Sequence, residues 1–155
     1  AHISGPLTMV AGEDRLAGYC KALSDRGHSY SEDLVVEGDF TEAGGYVAMK
    51  RLLASSPDAV FAGSDQMALG AWRAIREAGL HVPKDIALVG FDDLQPPGTR
   101  RMQLTTIRQP VVRVGREAVN VLLDVIENGL APPRRVIFDT ELVIRESCGA
   151  NLARP

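Results

Sequence analysis

The chain has 155 residues, 45% of them apolar and 24% charged, with 17 basic against 20 acidic side chains and a formal net charge of −3. About 150 residues can bury roughly 68–70% of the unfolded surface, so a single domain with a real core is expected. The mild acidity argues against a basic nucleic-acid footprint along this chain, and no apolar run approaches the ~18 residues of a membrane span.

The start, Ala1 to Leu7, has neither the basic region nor the apolar stretch of a secretory signal. Cys20 and Cys148 lie far apart and form no CxxC, which gives a disulfide scaffold or a zinc site little support. These features describe a soluble, intracellular globular chain.

His2 to Ser4 reads as a short opening strand. Leu16, Tyr19, Cys20 and Leu23 then recur at helical spacing, with Gly27 as a stop. The run Leu34 to Gly38 is a strand, and Tyr46, Met49 and Leu53 make the next helical stripe. Asp58 to Gly63 and Ile86 to Phe91 are further strands, and between them Ala68, Ala71, Trp72 and Ile75 form a third stripe closed by Gly79. Near-continuous apolar runs suit strands buried on both faces. Strands alternating with helices of this length predict the α/β class, a doubly wound, mostly parallel sheet with helices on both faces.

After Asp92 comes a loop with Pro96, Pro97 and Gly98, then LTTIRQP (Leu104 to Pro110). Pro110 opens a long helical pattern through Val111, Val114, Ala118, Val121, Leu122 and Val125, closed by Gly129. Pro132 and Pro133 follow, with two short strand-like runs, Val136 to Phe138 and Glu141 to Ile144. Glu146 to Pro155 reads as a polar tail.

Three strands end alike, in GDF (Gly38 to Phe40), GSD (Gly63 to Asp65) and GFDD (Gly90 to Asp93). Their acids recur about one strand–helix unit apart, which puts all three clusters at the carboxyl edge of a parallel sheet, where open α/β sheets bind ligands. Asp39 and Ser64 precede helices and are equally readable as N-caps. Asp92 precedes a proline-containing loop, so its functional reading is stronger. A carboxylate can accept from vicinal hydroxyls, and Phe40 can cover the apolar face of a sugar or flat ring. Arg15 stands near the start of the first helix, where spacing alone gives it no special role.

No catalytic set emerges. His2, His28 and His81 are scattered away from any nucleophile and acid, no metal-ligand spacing occurs, and Gly44-Gly45 belongs to neither GxxxxGK nor GxGxxG. Cys20 reads as a buried inert thiol, Trp72 as core or interface, and the pairs Arg100-Arg101 and Arg134-Arg135 as solvated loops. A phosphoacceptor receiver domain is rejected, because its acid pair follows the first strand and a lysine follows its last. An enzyme is disfavoured, and no cofactor or metal is implied.

The chain resembles the C-terminal part of the effector-binding, periplasmic-binding-protein-like domain of LacI/GalR-family transcriptional regulators. The resemblance rests on ISGP (Ile3 to Pro6), RLAGY (Arg15 to Tyr19), EGDFTEAGGY (Glu37 to Tyr46), the run from Pro57 to Asp93, LTTIRQP and LVIRES (Leu142 to Ser147), in this order. It implies a type I lobe, incomplete here. Residues 1–105 would belong to the C-terminal lobe, 106–135 to a segment crossing into an N-terminal lobe otherwise absent, and 136–155 to the return and tail.

By the same resemblance, Arg15 and Asp92 match residues that grip a small effector. Phe40 matches the aromatic beside it, and Ser64, Asp65 and Gln109 match positions lining the same cleft. The third helix would contribute to a homodimer interface, giving Trp72 and Met67 an alternative role. The implied partners are a sugar or nucleobase-like effector and, through an absent helix-turn-helix, operator DNA, in the cytoplasm and with no membrane. The rivals are a periplasmic sugar-binding protein of a transporter, which shares the fold, and an α/β module acting only by protein contact.

Overall fold

Alternation along the short strands sorts side chains to two faces of one sheet. In the computed structural model, which describes residues 1–94, 103–129 and 135–151, the chain runs β1 (His2–Ser4), α1 (Val10–Asp25), β2 (Val35–Glu37), α2 (Glu42–Leu52), β3 (Ala59–Ala62) and α3 (Asp65–Glu77). It continues through β4 (Ala87–Asp92), β5 (Thr105–Arg108), α4 (Val111–Asn128) and β6 (Glu141–Val143), with a 3-10 turn at Glu146–Cys148. The Pro96–Gly98 loop, Arg100, Arg101, Pro132, Pro133 and Arg134 lie outside the described residues.

The strands order as β2-β1-β3-β4-β5-β6, with β1 to β5 parallel and β6 antiparallel to β5. Ile3 pairs with Ala62 and Val60 with Leu88, and all four are buried on the face that α2 and α3 cover. His2 pairs with Phe61 on the opposite face, where its ring stacks between Phe61 and Tyr19 of α1. Helices therefore cover both faces, as the doubly wound reading expects, and the core lies on the α2–α3 side. Only Gly12 of α1 is buried, so the α1 side is half covered.

Helices α2 and α3 begin at side-chain caps. Thr41 Oγ1 accepts from the Gly44 amide at 2.9 Å, and Ser64 Oγ from the Met67 amide at 3.2 Å. The two helices cross at Gly45 and Gly70. A Cβ on Gly70 would stand 1.9 Å from the Glu42 carbonyl, and one on Gly45 would stand 2.2 Å from that of Met67. Only hydrogen on both residues lets the backbones approach this closely.

The structure corrects several sequence readings. Gly45, Ala48, Met49 and Leu52 form the buried face of α2, so Tyr46 and Leu53 flank that face. Met67, offered as a dimer-interface residue by the resemblance, is fully buried in the core, because α3 presses it beneath α2 against β1. LTTIR, unassigned from sequence, contains strand β5, and Thr106–Arg108 stay in the sheet rather than starting the crossing segment. The polar tail is partly internal: Ser147 is 1% exposed, donates to the Leu88 carbonyl at 2.6 Å and accepts from the Thr105 amide at 2.8 Å. Val136 to Phe138 form no strand, since β6 takes the pairing edge of β5. Helix α4 has no buried residue.

Candidate functional site

The carboxyl ends of β1 to β5 form one edge, and the chain reverses its winding direction between β1 and β3. Ligands of open α/β sheets settle at such a switch point. Arg15 spans it. From the second turn of α1 its Nη1 donates to the Gly63 carbonyl at the end of β3 at 2.5 Å, and its Nη2 stands 3.7 Å from Asp92 Oδ1 at the end of β4. The guanidinium lies over the Phe91 ring at 3.9 Å and near Phe40 at 5.4 Å, so it is held by charge and by two aromatic faces. Gln109, just past β5, donates from Nε2 to Asp92 Oδ1 at 2.6 Å.

Arg15, Phe40, Asp92 and Gln109 thus come together, and Phe91 joins them. Their side chains are only partly covered: those of Arg15 and Asp92 are 15% and 18% exposed. Burial raises the Asp92 carboxyl above its ordinary range, opposed by the Gln109 hydrogen bond and the Arg15 charge. A cleft of about 690 Å3 runs from Arg15, Phe91 and Gln109 along α1 past Gly18, Tyr19 and Phe61.

Backbone strain concentrates at the same edge. Phe40, Asp92 and Asp93 have φ of +64°, +118° and +55°, a region that side-chain-bearing residues rarely enter. Such outliers cluster where a site must hold a group in one orientation.

Ser64 and Asp65 lie deeper. Ser64 is 3% exposed and caps α3. Asp65 is 4% exposed and accepts from Thr106 Oγ1 at 2.6 Å and from the Leu94 amide. Burial pushes its carboxyl up to about 6; the Thr106 hydrogen bond opposes this, and the Asp92 and Asp93 charges add to it. Gly90 makes room for it, since a Cβ there would stand 2.3 Å from Asp65 Oδ1. Asp39 is exposed and accepts from the Thr41 amide and hydroxyl at 2.9 and 2.7 Å, a local turn that steadies the α2 cap.

Sequence reasoning passed over Asp93, Thr106, Arg108 and Arg145, whose partners are 13 to 52 residues away along the chain. Among the described residues no group of three or more His, Cys, Asp or Glu could hold a metal ion, and no helix is long and apolar enough to cross a membrane.

Residues 3–148 match the family of periplasmic binding protein-like domains. The HTH-type transcriptional regulator CelR of Thermobifida fusca is 44% identical over 149 residues, 95% of this chain and 44% of that protein. The chain belongs to the LacI/GalR family. The HTH-type transcriptional repressor PurR of Escherichia coli is 41% identical over 147 residues, 94% of this chain and 43% of that repressor.

Among solved structures, a CelR–cellobiose complex superposes on this LacI/GalR chain with a TM-score of 0.89 at 44% identity, covering 95% of this chain and 46% of that one. A lac repressor dimer bound to operator and the anti-inducer ONPF superposes with a TM-score of 0.82 at 33% identity, covering 95% and 51%. The chain spans less than half the length of the curated relatives it matches.

Proposed function

We propose that this chain is the effector-sensing part of a LacI/GalR transcriptional regulator and that its effector is a sugar. Arg15, Phe40, Asp92 and Gln109 contact it, while Ser64 and Asp65 shape the floor beneath them. The observation that carries this reading is the Arg15–Asp92–Gln109 cluster, set between aromatic rings at the switch point of the sheet. Asp92 offers acceptors to vicinal hydroxyls and Arg15 offers forked donors. The apolar faces of pyranose rings fit against Phe40 and Phe91. The 44% identity to a regulator solved with cellobiose makes a glucose disaccharide the first compound to try.

The mechanism is a population shift. A second lobe closes over this edge when the effector binds, and the preferred arrangement passes through a homodimer to helix-turn-helix heads on operator DNA in the cytoplasm. The shift can be no larger than the effector's difference in affinity for the two arrangements. No bond is made or broken in this scheme, so the protein works as a sensor and not as an enzyme. The regulator names of the relatives favour it over a transport receptor.

The test is calorimetric titration of the full-length protein with cellobiose and, separately, with a purine base. Asp92→Ala is expected to weaken cellobiose binding by about tenfold or more with the fold retained, the loss expected for a hydrogen-bonded charged group. A protein that takes only the purine base moves the effector to the nucleobase class. Unchanged affinity in the variant removes Asp92 from the site.

A further inference from the structure

Asp92 is the last residue of β4, and nothing in its own strand fixes where its carboxylate points. At φ +118° its backbone is outside the regions open to a non-glycine residue, so some neighbour must hold it there. The neighbour is Asp93. Its carboxylate receives one guanidinium on each oxygen: Arg145 Nη2 at 2.6 Å on Oδ1 and Arg108 Nε at 2.7 Å on Oδ2. The Asp93 amide adds a long bond to Thr106 Oγ1 at 3.4 Å, and that hydroxyl donates in turn to the buried Asp65.

The two arginines are themselves fixed. Arg145 Nη1 donates to the Leu104 carbonyl at 2.6 Å, and its backbone amide and carbonyl both bond the Thr105 hydroxyl. Arg108 also reaches Glu141 of β6 at 3.2 Å. The side chains of Asp93 and Arg145 are 9% and 16% exposed, a depth at which an ion pair is screened far less than on the surface.

The location adds the functional meaning. Arg108 directly precedes Gln109, which hydrogen-bonds Asp92 and leads the chain out of the sheet toward α4. Arg145 and Glu141 lie where the chain has come back through β6. Asp93 therefore links the residue at the sheet edge to both passages of the chain away from this lobe. Its two arginines also neutralise the carboxylate adjacent to Asp92.

We propose that Asp93, gripped by Arg145 and Arg108, is a positioning residue for the effector site: it fixes the turn that aims Asp92 toward Gln109 and Arg15, and it couples that aim to the segments by which the chain leaves and re-enters the sheet. This rests on the reading of Asp92 as an effector contact.

The experiment uses the full-length protein with Arg145→Gln, Arg145→Lys, Asp93→Asn and the double variant Asp93→Asn/Arg145→Gln. Ser147→Ala serves as a control that loosens the same terminal turn without touching Asp93. Three quantities are read: the cellobiose dissociation constant, the melting temperature, and the crystallographic position of the Asp92 carboxylate. Arg145→Gln and Asp93→Asn are each expected to weaken cellobiose by about tenfold, the size of a lost charge-assisted hydrogen bond. The double variant is expected to be no weaker than Asp93→Asn alone, because that substitution already removes the charge that Arg145 grips. Arg145→Lys should recover part of the loss, and Ser147→Ala should lower the melting temperature while leaving the dissociation constant unchanged.

In crystals of Arg145→Gln the Asp92 carboxylate should have left Gln109 Nε2. An Asp92 that stays in place, or affinity that holds while stability falls, overturns the proposal. If the parent protein does not bind cellobiose and yet Asp92 moves in those crystals, the positioning role stands and the sugar assignment is what fails.

Discussion

Asp65 carries the electrostatic cost of this edge. Burial raises its carboxyl from an ordinary 3.8 to about 6. A group whose folded pKa is raised contributes stability that is complete below the unfolded value and is lost as pH climbs through the folded one. Asp65→Asn, which keeps an acceptor for Thr106 but cannot ionise, should therefore gain stability relative to the parent across that window. The gain is on the order of 2–3 kcal/mol, read by denaturant titration at a series of pH values. A difference that does not change with pH means that Asp65 ionises as it does in the unfolded chain. His2 acts with the opposite sign. Burial lowers it from 6.5 to about 4, against the Phe61 hydrogen bond, so stability is lost as pH falls through that range. The parent profile mixes both slopes, and the variant-minus-parent difference isolates Asp65.

At the scale of elements, β5 and the terminal turn stabilise each other through polar groups. Thr105 and Thr106 are 2% and 0% exposed, and each hydroxyl is satisfied by a partner from a distant segment. Ser147 bonds β4 through the Leu88 carbonyl and β5 through the Thr105 amide. Ser147→Ala leaves both of these buried groups unsatisfied and should cost about 1–3 kcal/mol in chemical denaturation. A loss within error would mean that other groups hold the turn. This is also where the sequence was least legible. Two threonines lack the apolar signature of an internal strand, and Ser147 reads as part of a polar tail until the segments that satisfy it are in place. Strands β1 to β4 and helices α1 and α3 were readable because their apolar spacing and glycine stops are local. The α2 stripe was misread because Gly45 and Ala48, which have little or no side chain, form its buried face.

At the scale of the whole molecule, α4 is an amphipathic helix whose apolar side is not buried by the described residues. Val112, Leu122, Leu123 and Ile126 are all exposed, far more than one helix of a finished fold leaves in water. The 155-residue chain alone is expected to self-associate through this face in sedimentation velocity. Leu122→Glu with Ile126→Glu should return it to a monomer without lowering the melting temperature of the sheet. Association that survives both changes would shift attention to the half-covered α1 side.

The sequence by itself determined the α/β class, the order of the first four strands along the chain, and the shared edge carrying Phe40, Ser64, Asp65 and Asp92. Each follows from local spacing, since a strand's period and its distance to the next strand set which residues reach the carboxyl end. Only the tertiary structure decided which of those residues stay at the edge beside Arg15 and which lie buried beneath it. Ser64 and Asp65 went beneath the edge because a helix cap and a hydroxyl partner were there to satisfy them. Arg15 reached it only because α1 lies across the switch point. The grip of Arg145 and Arg108 on Asp93 joins residues 52 and 15 positions apart, and no local signal specifies a pairing made by the sheet order.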